Sequence, residues 1–187
     1  DLLNIEIQRE GKDVVLRQTA YIEKLVATYL DADTKPLSRD KTPFTKHLSQ
    51  HVADALADDS PRDPSDVKAF QQILGALLYC GQTRCDIAYP LNMLCRCMAR
   101  PTPALYKDAL LAIKYLDRHK DVGLRYSPCD TPLYGMTDAN WDVKHSTSGA
   151  VFMFQSAAIS WCSKRQKTIA LSTCEAEIMA ASEATRE

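Results

Sequence analysis

Leu2 to Ile7 alternates apolar and polar residues, Gly11-Lys12-Asp13 is a turn signal, and Val14-Val15-Leu16 follows it. A period of two broken by a glycine-containing turn predicts a β-hairpin. The period then lengthens. Tyr21, Ile22, Leu25, Val26, Tyr29 and Leu30 recur at helical spacing, with Thr19 placed to cap the helix. Residues 31–65 follow neither period: Pro36, Pro43, Pro61 and Pro64 stand among Asp, Ser, Thr and Lys. This predicts a long polar connector with one short helix near His47 to Leu56.

Three helical stripes come next. Val67, Phe70, Ile73, Leu74, Leu77 and Leu78 form the first; Ile87, Leu91, Leu94, Cys95 and Met98 form the second, with Asp86 as its expected cap. Thr102 and Pro103 supply a cap and a first-turn proline for the third, which carries Leu110, Ile113 and Leu116 and is expected to stop at Gly123. Strand-like stretches then run from Gly123 to Tyr126, Leu133 to Thr137, Ala150 to Gln155 and Ala158 to Trp161. Polar turns at Asp142 to Ser148 and at Gln155-Ser156 make them an antiparallel meander. Ser172-Thr173-Cys174-Glu175 has the form of a capping box and opens an Ala-rich helix expected to reach the last residue. The fold class is α+β: an N-terminal hairpin and connecting helices, then a meander with one helix. The change of pattern divides it into residues 1–130 and 131–187.

At 187 residues, 45% hydrophobic and 25% charged, the chain is close to the globular average, which excludes collagen-like, disordered and coiled-coil classes. Its 23 basic and 24 acidic residues balance, so global charge points to neither nucleic acid nor membrane. No apolar run reaches the ~18 residues of a spanning helix. The start, Asp1-Leu2-Leu3-Asn4, has neither Met nor signal-peptide regions and reads as a chain entered in mid-fold. Seven cysteines, an odd number, favour free thiols in a reducing, intracellular setting. The spacings of Cys80, Cys85, Cys95 and Cys97 fit no common structural zinc pattern.

Candidate chemistry centres on two carboxylates. Asp138 follows the apolar stretch Leu133 to Thr137 and is expected near a strand end; Glu177 lies early in the final helix. Such a pair can hold hard divalent ions, two of which about 3.5–4 Å apart activate water against a phosphodiester. Taken as residues alone, the pair is weak evidence for a metal site, and a turn-capping Asp and a solvated Glu are the favoured reading.

Several words in order narrow the choice. Thr137-Asp138-Ala139-Asn140-Trp141, Ser146-Thr147-Ser148-Gly149, Ile159-Ser160-Trp161-Cys162-Ser163-Lys164-Arg165-Gln166 and Ser172-Thr173-Cys174-Glu175-Ala176-Glu177 resemble the ribonuclease H region of Pol polyproteins of copia-type long-terminal-repeat retrotransposons. Upstream, Leu3-Asn4-Ile5-Glu6-Ile7, Gln18-Thr19-Ala20-Tyr21-Ile22, Thr42-Pro43, Ile73 to Tyr79 and Thr83-Arg84-Cys85-Asp86-Ile87-Ala88-Tyr89 resemble the end of the same family's reverse transcriptase. Departures from the pattern are Asn4 for Gly, Cys85 for Pro, Asn140 for Asp and Ile178 for Tyr.

The resemblance implies that residues 1–130 are the last part of a reverse transcriptase and that 131–187 begin a ribonuclease H-like domain. It makes Asp138 and Glu177 catalytic, metal-binding carboxylates for Mg²⁺ or Mn²⁺, with an RNA–DNA hybrid as substrate. Glu175 is left to capping and Asp142 unassigned. The remainder of the Pol polyprotein is the implied partner, the cytoplasm (in a virus-like particle) and nucleus the implied locations. The family's two later catalytic aspartates are expected beyond Glu187 and its polymerase carboxylates before Asp1. Hence the isolated chain is expected to be inactive.

Lys164, Arg165 and Lys167 cluster beside Trp161 and serve equally as hybrid-phosphate contacts or as a solvated turn. Arg84, Arg96, Arg100, Lys107, Lys114 and Arg118 are candidates for a second basic face. The alternative to an enzyme fragment is a non-catalytic retroelement remnant acting as a scaffold or nucleic-acid-binding module.

Overall fold

A computed structural model describes residues 2–38, 41–142 and 145–186. The chain divides into two compact units. One comprises residues 1–8 and 16–123; the other comprises 9–15 and 124–187. The architecture is mixed α+β.

The first unit is helical. It holds α1 (Thr19–Tyr29), α2 (Leu48–Ala57), α3 (Pro64–Cys80), a 3-10 turn over Cys85–Ile87 running into α4 (Ala88–Cys95), and α5 (Pro103–Arg118). Each helix contributes its apolar stripe to one core, in which Ile22, Val52, Phe70, Leu74, Leu77, Leu94, Leu105 and Ile113 are buried. Burying one such side chain is worth roughly 1.5–3 kcal/mol. Thr102 caps α5 as expected, accepting from the Leu105 amide at 3.3 Å, with Pro103 at the first position. Asp63 caps α3 in the same way, accepting from the Ser65 amide at 2.7 Å with Pro64 behind it, so this helix starts earlier than its apolar stripe.

Four local expectations need correction. Leu3 and Asn4 have φ of 51° and 56°, so Leu2 to Ile5 close a tight turn and the first strand begins only at Glu6. Apolar alternation alone does not register a left-handed turn. Thr19 does not cap α1: Gln18 holds that position, and the Thr19 hydroxyl donates to the Lys120 carbonyl. Asp86 does not cap a helix; it sits inside the 3-10 turn with its carboxylate held by Arg84. Gly123 does not stop α5, which ends at Arg118. A Cβ on Gly123 would lie 2.1 Å from the Leu16 carbonyl oxygen, so close backbone approach demands glycine there.

Strands β1 (Glu6–Glu10), β2 (Asp13–Arg17) and β3 (Leu124–Tyr126) form one sheet in that order. Gly11, at φ 65°, makes the β1–β2 turn. In the second unit, Arg125 joins both sides of this turn through Glu10 and Asp13. The rest of this unit is an antiparallel sheet of β4 (Tyr134–Asn140), β5 (Thr147–Phe154) and β6 (Ala157–Arg165), followed by α6 (Thr173–Ala184). Gln155 and Ser156 form the two-residue β5–β6 turn in left-handed conformation, at φ 50° and 69°. The Gln155 side chain braces this turn, accepting from the Cys129 amide and donating to its carbonyl. The turn expected from Asp142 to Ser148 includes residues 143 and 144, and the expected helix end includes Glu187; these lie outside the described residues.

Candidate functional site

Asp138 occupies the third position from the end of β4, opposite Gly149 on β5, which in turn faces Ser163 on β6. Directly opposed residues share a sheet face and successive residues alternate. Asp138 therefore lies on the face carrying Gly149, Ser163 and, two residues on, Arg165. The residues directly across from it, Gly149 and Ser163, have little or no side chain, and the carboxylate is exposed.

Glu177 is exposed on α6. The helix buries Ala176, Ala180 and Ala184, a stripe of one small residue per turn that lets its axis approach the sheet. It packs mainly on β4 and β5, so the elements bearing the two carboxylates touch. Its start follows the expected box with one change. Ser172 accepts from the Glu175 amide at 3.1 Å, but Glu175 reaches past Ser172 to the Leu171 amide at 2.7 Å. That engagement leaves Glu177 as the carboxylate of the pair not committed to capping.

Gln166 was not singled out from the sequence, yet it ties the helix to the sheet. Fully buried, it donates from Nε2 to Ser148 Oγ at 3.0 Å and to the Ala176 carbonyl at 2.8 Å. Its amide donates to the Ser146 carbonyl at 2.8 Å. Since Ser148 pairs with Ala139 and with Lys164, α6 covers the face of Ala139 and Lys164, opposite the one that bears Asp138. The only sequence signal for Gln166 was its place in the Lys164-Arg165-Gln166 word.

The basic cluster divides accordingly. Lys164 and Lys167 line a cavity of about 240 Å³ with Ser148, Cys162, Glu183 and Arg186, on the α6 side. Arg165 lies on the Asp138 face at the end of β6, opposite Thr147. Trp161 is half-buried, and Trp141 donates its indole N–H to the Ala170 carbonyl at 3.0 Å, a rim position rather than a free stacking surface. Arg84 leaves the expected second basic face altogether. It is buried, its guanidinium bonded to both Asp86 oxygens at 3.0 and 2.7 Å and to the His119 carbonyl at 2.8 Å.

Two exposed carboxylates suit a hard divalent ion in donor type, but α6 packs on the sheet face opposite Asp138, so Asp138 points away from the helix that bears Glu177. In number they fall short: among the described residues no three His, Cys, Asp or Glu side chains gather as a metal-holding group.

The chain is similar in sequence to several known proteins. Over its whole length the chain is 30% identical to a retrovirus-related Pol polyprotein from a Nicotiana tabacum transposon, TNT 1-94, of which it spans 14%. It is 32% identical to an uncharacterized mitochondrial protein of Arabidopsis thaliana, over 95% of the chain and 72% of that protein. A putative transposon Ty5-1 protein of Saccharomyces cerevisiae is 31% identical over 99% of the chain and 59% of its own length. No protein-family model matches the chain, and no solved structure matches it significantly. Among the described residues no helix is long and apolar enough to cross a membrane.

Proposed function

Since the chain belongs to the retrovirus-related Pol polyproteins of transposons, we propose that residues 131–187 are the start of a ribonuclease H-like domain that cleaves the RNA strand of RNA–DNA hybrids. In this reading Asp138 and Glu177 are two of the carboxylates for Mg²⁺ or Mn²⁺. The observation that supports it is the likeness of the whole chain to a retrovirus-related Pol polyprotein; both acids are exposed, although α6 packs on the sheet face opposite Asp138.

A bound divalent ion supplies an activated water and stabilises the leaving oxygen of a phosphodiester. This chain's own part is to hold the carboxylates. Ser172 and Glu175 fix the start of α6, and Gln166 fixes its seat on the sheet, so Glu177 rides on a positioned helix. Arg165, on the Asp138 face, is the basic residue best placed to meet a hybrid backbone. Residues 1–130 are read as the end of the reverse transcriptase. Hybrid nucleic acid and the remainder of the polyprotein are the proposed partners.

With two carboxylates, ion binding by residues 1–187 is weak and hybrid cleavage absent. Mn²⁺ titration followed by paramagnetic broadening in NMR spectra tests the assignment on the chain itself. Broadening centred on residues 138 and 177 and abolished by Asp138→Asn is expected. Broadening that ignores this substitution would refute the assignment.

The non-catalytic reading, a remnant serving as scaffold or nucleic-acid-binding module, is favoured by the place of Asp138 on the sheet face opposite α6, with no group of three metal-holding side chains among the described residues. It predicts no localised broadening.

A further inference from the structure

The helical first unit carries an arrangement that this reading does not use. His47 and His51 stand one turn apart at the start of α2, joined by a helical bond from the His51 amide to the His47 carbonyl at 2.9 Å. Their ring centres are 6.2 Å apart and their planes differ by 33°. His47 is exposed and His51 is partly so.

The His51 ring is not free to turn. Its Nδ1 lies 2.7 Å from Oδ2 of Asp108, a carboxylate on α5 that is 3% exposed. The other Asp108 oxygen accepts the Thr45 hydroxyl at 3.0 Å. A carboxylate oxygen accepts, so Nδ1 is the donor to Asp108, and in the neutral ring Nε2 then holds the lone pair that a ligand would use. A buried carboxylate behind a histidine is the outer-shell arrangement that orients imidazole toward a metal. Two histidines four apart on one helix face are a recurrent pair of zinc ligands.

We propose that His47 and His51 form a site for a borderline divalent ion of the Zn²⁺, Ni²⁺ or Cu²⁺ class, with Asp108 as the positioning residue behind His51. Imidazole suits these ions. Nitrogens held about 2.1 Å from one ion put the ring centres roughly 5–6 Å apart, so a small side-chain rotation from 6.2 Å closes the pair. Among the described residues no third His, Cys, Asp or Glu joins them, and solvent completes the coordination. The site is chemically distinct from the hard-ion carboxylates of the second unit.

Zn²⁺ titration of the full 187-residue chain, followed through long-range ¹H–¹⁵N correlations of the four imidazoles, separates this site from thiol binding. The His47 and His51 Nε2 signals should shift together with one midpoint, while His119 and His145 stay put. His47→Ala, an exposed substitution, should weaken Zn²⁺ affinity at His51 at least tenfold. Asp108→Asn should weaken it 10–100-fold and change the His51 tautomer signature, a readout a merely structural role would not move. Asp138→Asn should leave the site unchanged, so it stands or fails apart from the ribonuclease reading. Zn²⁺ binding that shifts neither ring, or an unaltered midpoint in His47→Ala, overturns the proposal.

Discussion

Replacing Asp86 with Ala tests the energetic reading of the Arg84 cluster. Arg84 is 1% exposed, and Asp86 satisfies it at Nε and Nη2 while accepting the Tyr115 hydroxyl at 2.9 Å. The guanidinium also lies 5.7 Å from the Tyr115 ring centre. The substitution leaves a buried cation with one remaining bond, to the His119 carbonyl. Asp86 is itself 31% exposed, so water partly replaces its bonds, and removing it from the buried guanidinium costs about 1–3 kcal/mol, still a large share of the 5–15 kcal/mol typical of a domain. Urea unfolding followed at 222 nm, where the helical first unit dominates, should show a lower midpoint at unchanged slope. Adding Arg84→Met to Asp86→Ala should recover part of the loss, because the stranded charge is gone. Although burial pushes the Asp86 pKa up, the Arg84 bonds and the Tyr115 hydroxyl hold it below the usual carboxylate value. The stability this pair contributes is complete above the unfolded pKa of about 3.9 and is lost as pH falls through the lower folded value. The difference between wild type and Asp86→Ala should accordingly be flat above about pH 5 and shrink below about pH 4. A loss under 1 kcal/mol, or a difference that grows in acid, refutes the reasoning.

Three further outcomes follow from particular contacts. Ser156→Gly should stabilise the second unit by about 1 kcal/mol, since a non-glycine residue in left-handed conformation costs roughly that much; chemical denaturation followed by tryptophan fluorescence reads the gain, and no gain contradicts it. Gln166→Leu should cost about 1–3 kcal/mol by stripping the Ala176 carbonyl and Ser148 of their donor, and should raise amide exchange in the first turns of α6 above all; a uniform change would speak against its seating role. Burial pushes the Cys80 thiol up to about 12, and Cys97 is buried as well, whereas Cys174 is exposed. Alkylation at pH 8 should mark Cys174 within the native state and reach Cys80 and Cys97 only after unfolding, as peptide mass spectrometry would reveal.

The helices were readable from the chain because each presents a single apolar stripe, as with Phe70, Leu74 and Leu77, and because Thr102 and Pro103 announce their own helix locally. The misread residues owe their roles to distant partners. Gly123 is explained by the Leu16 carbonyl, Thr19 by the Lys120 carbonyl, and Gln166 by Ser148 and Ala176. No local period encodes such meetings. For the candidate site, spacing brought out Asp138 and Glu177, and the motif words named their family. Which sheet face each basic residue takes depended on the β4–β5–β6 register, and that register separates Arg165 from Lys164 although they are adjacent in the chain.

The central claim, that Asp138 and Glu177 serve hybrid cleavage, is tested most directly in the reading frame continued past Glu187. Cleavage of the RNA strand of a labelled RNA–DNA hybrid with Mg²⁺ should be absent for residues 1–187. It should appear in the continued chain and fall by at least a hundredfold in both Asp138→Asn and Glu177→Gln. A continued chain that cleaves the hybrid equally well with either carboxylate replaced contradicts the account, as does cleavage by residues 1–187 alone that vanishes in Asp138→Asn.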